Sequence, residues 1–203
     1  MRSLTAALLV VALPARTADV AGVAVPASIV VDGTALLLNG AGVRTVDSVN
    51  RHHDHAATPG SRVFLKVKVY VGALYLPRKM NDPASIVALD QPKAVRLTYL
   101  RGVARAKILE ALKGGFESNS KDQLAELLPK LKLLEPAIPE EVREGQVLSV
   151  TYIPGQGSVV GVDAGPPVTV EGKSFADALF RNWLGPKPLD DGLEALQGAL
   201  LGR

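Results

Sequence analysis

Two stretches decide how this chain reads: Leu37–Arg44, LLNGAGVR, and Val63–Leu76, VFLKVKVYVGALYL. The second is the clearest strand in the sequence. Its side chains alternate, so Val63, Leu65, Val67, Val69, Val71, Ala73 and Tyr75 share one face. Phe64, Lys66, Lys68, Tyr70, Gly72, Leu74 and Leu76 share the other. The first face is apolar throughout, which predicts burial. The second turns from charged to mixed at Tyr70, as a strand does when it runs from the surface into a cleft. Gly72 beside Tyr70 leaves space for another group to approach. In the first stretch, Asn39-Gly40-Ala41-Gly42 predicts a sharp turn that aims Arg44 inward. A dinucleotide-binding reading fails there, because the third glycine of that fingerprint would fall at Thr45 and no helical pattern follows. Read alone, Tyr70 also fits a core tyrosine bonded to backbone, and Arg44 a surface arginine.

Outward from this pair, Ser28–Val31 and Thr34–Leu38 flank Asp32-Gly33, a hairpin signal. Asn81–Leu89 predicts a short helix, with Asn81 or Asp82 at its cap and Pro83 in its first turn. Ala94–Leu100 reads as a strand. Ala104–Phe116 reads as a helix burying Ile108, Leu109, Leu112 and Phe116. Lys121–Leu128 continues helically until Pro129. Gln146–Ile153 and Ser158–Val162 form a second hairpin about Pro154-Gly155-Gln156-Gly157, and Val168–Val170 is a further strand. Ser174 with Asp177 predicts a capping box for a helix whose Phe175, Ala178, Leu179, Asn182 and Trp183 share a face. Asp190 or Asp191 begins the last helix, buried through Leu193, Leu196, Leu200 and Leu201.

Composition narrows the classes. A chain of 203 residues, 47% of them hydrophobic, suits one domain with its own core. A net charge of +3 without a basic cluster, and 4% aromatics, argue against nucleic acid as a partner. The absence of cysteine removes disulfides, thiolate nucleophiles and Cys-based metal sites. Arg2 followed by the apolar run Leu4–Ala12, Pro14 and small residues near Ala15 and Ala18 has the layout of a secretory signal peptide over 1–18. The expected location is therefore periplasmic or secreted, with residues 19–203 as one domain and no membrane span once the leader is removed. Val46–Ser61 reads as a long polar loop carrying His52, His53 and His55 around Asp54. Those groups could ligate a metal or haem, or sit in a solvated loop.

Taken in order, NGAGVR, KVYVGALYLP, the ARAKILEAL helix, the TYIPGQGSVV hairpin and SFADALFRNWLG resemble the chalcone isomerase family, most closely its exported bacterial chalcone isomerase-like branch. The resemblance implies an α+β fold, an open-faced β-sandwich in which a large antiparallel sheet is backed by a layer of helices, with a ligand cleft between them. The loop at about 46–61 is an insertion relative to that pattern. In the family's plant enzymes the arginine of the GAGVR segment holds the substrate phenolate, and a threonine, a tyrosine and an asparagine organise the network at the developing enolate. The resemblance keeps that arginine as Arg44 and puts Tyr70 at the threonine. It puts Ala104 at the tyrosine and Ala111 at the asparagine. Asn182 and Trp183 fall at two further pocket positions.

An alanine offers neither donor nor acceptor, so this pattern argues against efficient ring closure. An arginine beside a phenol suits a carboxylate instead, as in the fatty-acid-binding relatives of the fold. The expectation is a non-catalytic binding or carrier protein for a small amphipathic acid, contacted by Arg44, Tyr70, Asn182 and Trp183, with no cofactor. One alternative is an isomerase or lyase of an enone or phenolic substrate using Arg44 and Tyr70. Another is metal or haem binding through the three histidines.

Overall fold

The computed structural model describes residues 17–50 and 63–203. The leader expected over 1–18 falls almost wholly outside the described residues, and so do His52, His53 and His55. The strands are β1 (Thr17–Val20), β2 (Val23–Pro26), β3 (Ser28–Val31), β4 (Thr34–Asn50), β5 (Val63–Leu76), β6 (Lys93–Tyr99), β7 (Val103–Ala104), β8 (Glu141–Val142), β9 (Val147–Ile153), β10 (Gly157–Val162) and β11 (Val168–Val170). The helices are α1 (Pro83–Ala88), α2 (Arg105–Asn119), α3 (Leu124–Lys132), α4 (Lys173–Leu184) and α5 (Asp191–Leu200).

Seven strands form one antiparallel sheet in the order β11-β10-β9-β6-β5-β4-β3. The helices pack on one face, and the main core lies between, from Leu74 and Leu76 of β5 to Phe116, Phe175 and Leu196. Each such side chain removed from water contributes about 1.5–3 kcal/mol. On the opposite face Val71, Ala73 and Tyr75 form a second core, closed by Val25 of the β1–β2 hairpin. The Tyr75 hydroxyl donates to Pro26 O at 3.0 Å and fastens the hairpin there. This is the α+β open-faced sandwich that the family resemblance implies.

Three local expectations are corrected. Asn39–Gly42 is no turn, because β4 runs through it, with register shifts between Leu38 and Gly40 and between Arg44 and Thr45. The glycines are there for contact. A Cβ on Gly40 would lie 2.1 Å from Ala199 O, and one on Gly42 would lie 2.5 Å from Ala199 Cβ, both on α5. Gly72, opposite Gly42, likewise makes room for Leu196. The polar loop does not begin at Val46 either. β4 continues to Asn50, with Val46 opposite Val67 and Asp47 opposite Lys66, pairs that favour strand over loop. Finally, the box at Ser174 and Asp177 does not form, since α4 starts at Lys173 after Gly172 and Asp177 bonds to Lys173 instead.

Lys93 is fully buried. Its Nζ donates to Ile86 O at 3.0 Å, Val87 O at 2.5 Å and Leu89 O at 2.9 Å. It thereby satisfies Leu89 O and adds a shorter bond to Ile86 O and Val87 O, which otherwise accept from Leu89 N at 3.3 Å and Lys173 Nζ at 3.4 Å. Burial, aided by Lys173, lowers its pKa to about 8.

Candidate functional site

The cleft opens between the sheet and α2, α4 and α5. It encloses about 430 Å³, within the range of small-molecule pockets. Leu97, Ile108, Leu112, Leu148 and Leu179 make most of its wall apolar. Arg101, Ala104, Lys107 and Ala111 lie at its exposed rim, with Leu189 beside them.

Its polar end is a row across three strands. Arg44 of β4 lies directly opposite Tyr70 of β5, and Tyr70 directly opposite Tyr99 of β6. Directly opposed side chains have Cβ atoms about 4.5–5.5 Å apart, so a small head group can touch both Arg44 and Tyr70. The register shift after Arg44 leaves Val69 unpaired, and Val69 and Tyr70 both pack against the helix-side core. The Tyr70 and Tyr99 rings are tilted, with centroids 5.6 Å apart.

Trp183 Nε1 donates to the Tyr70 hydroxyl oxygen at 3.2 Å. The phenolic hydrogen then has no acceptor among the described residues, and it is free to donate into the cleft. Burial pushes the Tyr70 phenol up from its ordinary value; the Trp183 hydrogen bond and the Arg44 charge oppose that rise. Burial raises Tyr99 as well, so both phenols stay protonated at neutral pH.

Arg44 is 9% exposed and does not point into bulk water. Its Nη1 donates to Thr45 O. Its fork meets Asp190 bidentately, with Nη1 to Oδ1 at 2.8 Å and Nη2 to Oδ2 at 2.6 Å. Asp190 also caps α5, accepting from Leu193 N at 2.9 Å. Two elements thus fix the guanidinium: the β4 backbone and the start of α5. Among the described residues its Nε–H and one Nη2–H meet no carbonyl or carboxylate, and the guanidinium lies near enough to the Tyr70 hydroxyl to help hold its pKa down.

All four residues expected from the sequence to contact a ligand line this cleft. Asn182 does so with its amide engaged, its Nδ2 donating to Leu179 O at 3.0 Å. Its Oδ1 sits against Gly115, where a Cβ would approach to 2.0 Å. Ala104 and Ala111 present methyl groups. Sequence reasoning reads Asp190 only as a helix start and passes over Tyr99. The Arg44–Asp190 pair spans 146 positions, which no local pattern reveals. Among the described residues no group of three or more His, Asp or Glu could hold a metal ion, and no helix is long and apolar enough to cross a membrane.

Residues 58–202 match the model of the family described as chalcone isomerase-like. Among solved structures, the chain is similar to a fatty-acid binding protein of Arabidopsis thaliana, with a TM-score of 0.61 and 15% identity over 89% of this chain and 92% of that one. A search of the curated proteins by sequence finds no match.

Proposed function

This chain belongs to the chalcone isomerase-like family, and on that premise we propose that it is a non-catalytic binding protein for a small amphipathic carboxylic acid of the fatty-acid type. One observation carries the reading: a cleft with largely apolar walls ends in hydrogen-bond donors that meet no carbonyl or carboxylate among the described residues, the Tyr70 hydroxyl and the remaining N–H groups of Arg44. Such an end is complementary to a group that only accepts, and apolar walls suit a hydrocarbon tail. The fatty-acid binding protein of similar fold points the same way. With the leader expected over 1–18, the protein would be exported to the periplasm or beyond.

Catalysis of ring closure is disfavoured by the methyl groups of Ala104 and Ala111 on the cleft wall. Each missing donor to a developing oxyanion costs about two to three powers of ten in rate. Trp183 is the chain's single tryptophan and touches Tyr70, so its fluorescence reports occupancy directly. Titration with palmitate should change that emission. Arg44→Ala should weaken binding at least about tenfold, since hydrogen bonds to charged groups contribute ~1.5–3 kcal/mol. Unchanged palmitate affinity in Arg44→Ala refutes the proposal. Arg44-dependent turnover of a chalcone or other enone, followed by absorbance, would move the assignment to an isomerase.

A further inference from the structure

We propose that Asp190 is an internal competitor for the head-group site, the residue that sets how strongly the cleft discriminates between an ionised acid and a neutral carbonyl ligand. The inference rests on the reading of the cleft as a binding site with its polar end at Arg44 and Tyr70, and adds the charge selectivity of that end.

The geometry for it is specific. A guanidinium presents its paired Nη atoms as one carboxylate-matching edge and Nε with one Nη as another. Asp190 occupies the first edge with both oxygens, at 2.8 and 2.6 Å. It cannot readily swing away, because Oδ1 is simultaneously the cap of α5 through Leu193 N at 2.9 Å. A ligand is left with the second edge and the Tyr70 hydroxyl. Those suffice for one acceptor oxygen, whether it belongs to a carboxylate, an ester or a ketone.

Charge is what Asp190 removes. It neutralises the cation that an incoming carboxylate needs, while a neutral carbonyl loses much less. The other cations of the cleft, Arg101 and Lys107, stand at its exposed rim, where solvent screens them and Lys107 is paired with Glu110 at 2.8 Å. Asp47, Asp191 and Lys66 line a pocket of about 260 Å³ on which Asp190 also borders. Lys66 thus shares that pocket with three carboxylates, one of which already holds Arg44, before any ligand arrives. A further carboxylate in this partly buried place meets like-charge repulsion that a neutral head group avoids. Asp190 is half exposed while Arg44 is nearly covered, so the acid stands between the guanidinium and solvent.

The test uses the full chain and a matched pair of probes, palmitate and methyl palmitate, read by Trp183 emission at neutral pH. Asp190→Asn removes the charge and keeps a side chain that caps helices as well as Asp does. Asp190→Ser, also a good cap, guards against an effect peculiar to asparagine. Both variants should bind palmitate at least about tenfold more tightly than the natural chain, with methyl palmitate changed less than about threefold. Palmitate affinity that is unchanged or reduced in both variants, or an equal gain for both probes, overturns the proposal. Failure of the underlying reading looks different: the natural chain then binds neither probe, or Arg44→Ala binds both as well as the natural chain does.

Discussion

Gly40→Ala is the sharpest test of how the polar end is held. In β4 the added methyl would lie 2.1 Å from Ala199 O and 2.7 Å from Leu200 O, both backbone atoms of α5. Normal contact between carbon and oxygen needs more than 3 Å, so strand and helix must separate by about 1 Å. The strain has no flexible side chain to absorb it. Leu200 O also accepts from Asn39 Nδ2 at 2.8 Å, a buried bond that the same separation would lengthen. Overpacking of this kind costs about 1–3 kcal/mol, and a lost buried hydrogen bond adds about 1 kcal/mol. For a chain of this size each kcal/mol lowers the melting temperature by about 2–4 °C. The expected fall is therefore roughly 5–15 °C by calorimetry. Gly198→Ala on α5 is the matched control. Nothing lies within 4 Å of its added methyl, so it should stabilise the helix by about 0.5–1 kcal/mol. A Gly40→Ala protein that melts within 2 °C of the natural chain refutes the claim that this glycine exists to seat α5.

Two further outcomes follow from the same packing. Gly115→Ala would drive a methyl to 2.0 Å from Asn182 Oδ1 and displace that side chain toward the cleft. It should cost about 1–3 kcal/mol in denaturant unfolding, and most of the cost should vanish in an Asn182→Ala background. Lys93→Met would strand Leu89 O and leave Ile86 O and Val87 O with only their longer bonds, from Leu89 N at 3.3 Å and Lys173 Nζ at 3.4 Å, for a loss of about 1–3 kcal/mol. Because burial lowers the Lys93 ammonium to about 8, the unfolded chain binds more protons than the folded one between that pH and the free-lysine value near ~10.4. Stability contributed by Lys93 therefore rises with pH across that window. The deficit of Lys93→Met should widen in parallel denaturant titrations from pH 8 to 10, and a deficit that narrows would contradict the assignment.

How much of this was legible in the sequence follows from what sequence patterns encode. Alternation along Val63–Leu76 reports which face is buried, and the structure agrees from Tyr70 onward, where Val71, Ala73 and Tyr75 face one core and Leu74 and Leu76 the other. It fails earlier, because the unpaired Val69 shifts the alternation and Leu65 is left 46% exposed. A bulge has no signature in a run of valines and lysines. Asp82 and Asp190 were recognisable as caps because capping is local: each side chain bonds an amide three residues on. Pro129 looked like a stop. It sits inside α3 because Leu127 and Leu131 are buried on either side of it and hold the helix to the core.

The misreading of Asn39–Gly42 and the omission of the Arg44–Asp190 pair have one origin. Glycine is ambiguous in a single sequence, since it permits a turn and equally permits a close approach, and only the partner decides. Here the partner is α5, at the far end of the chain. The same helix seats its Ala199 on Gly42 and begins at Asp190, against Arg44. Packing of α5 on the glycine stripe and neutralisation of the arginine are therefore one event: a helix that fits β4 closely enough to need glycines necessarily brings its cap to the guanidinium. On this argument the charge state of the cleft is set by helix–sheet packing some distance from it. A Gly42 substitution with a larger side chain should loosen the ion pair before it touches any residue of the cleft wall.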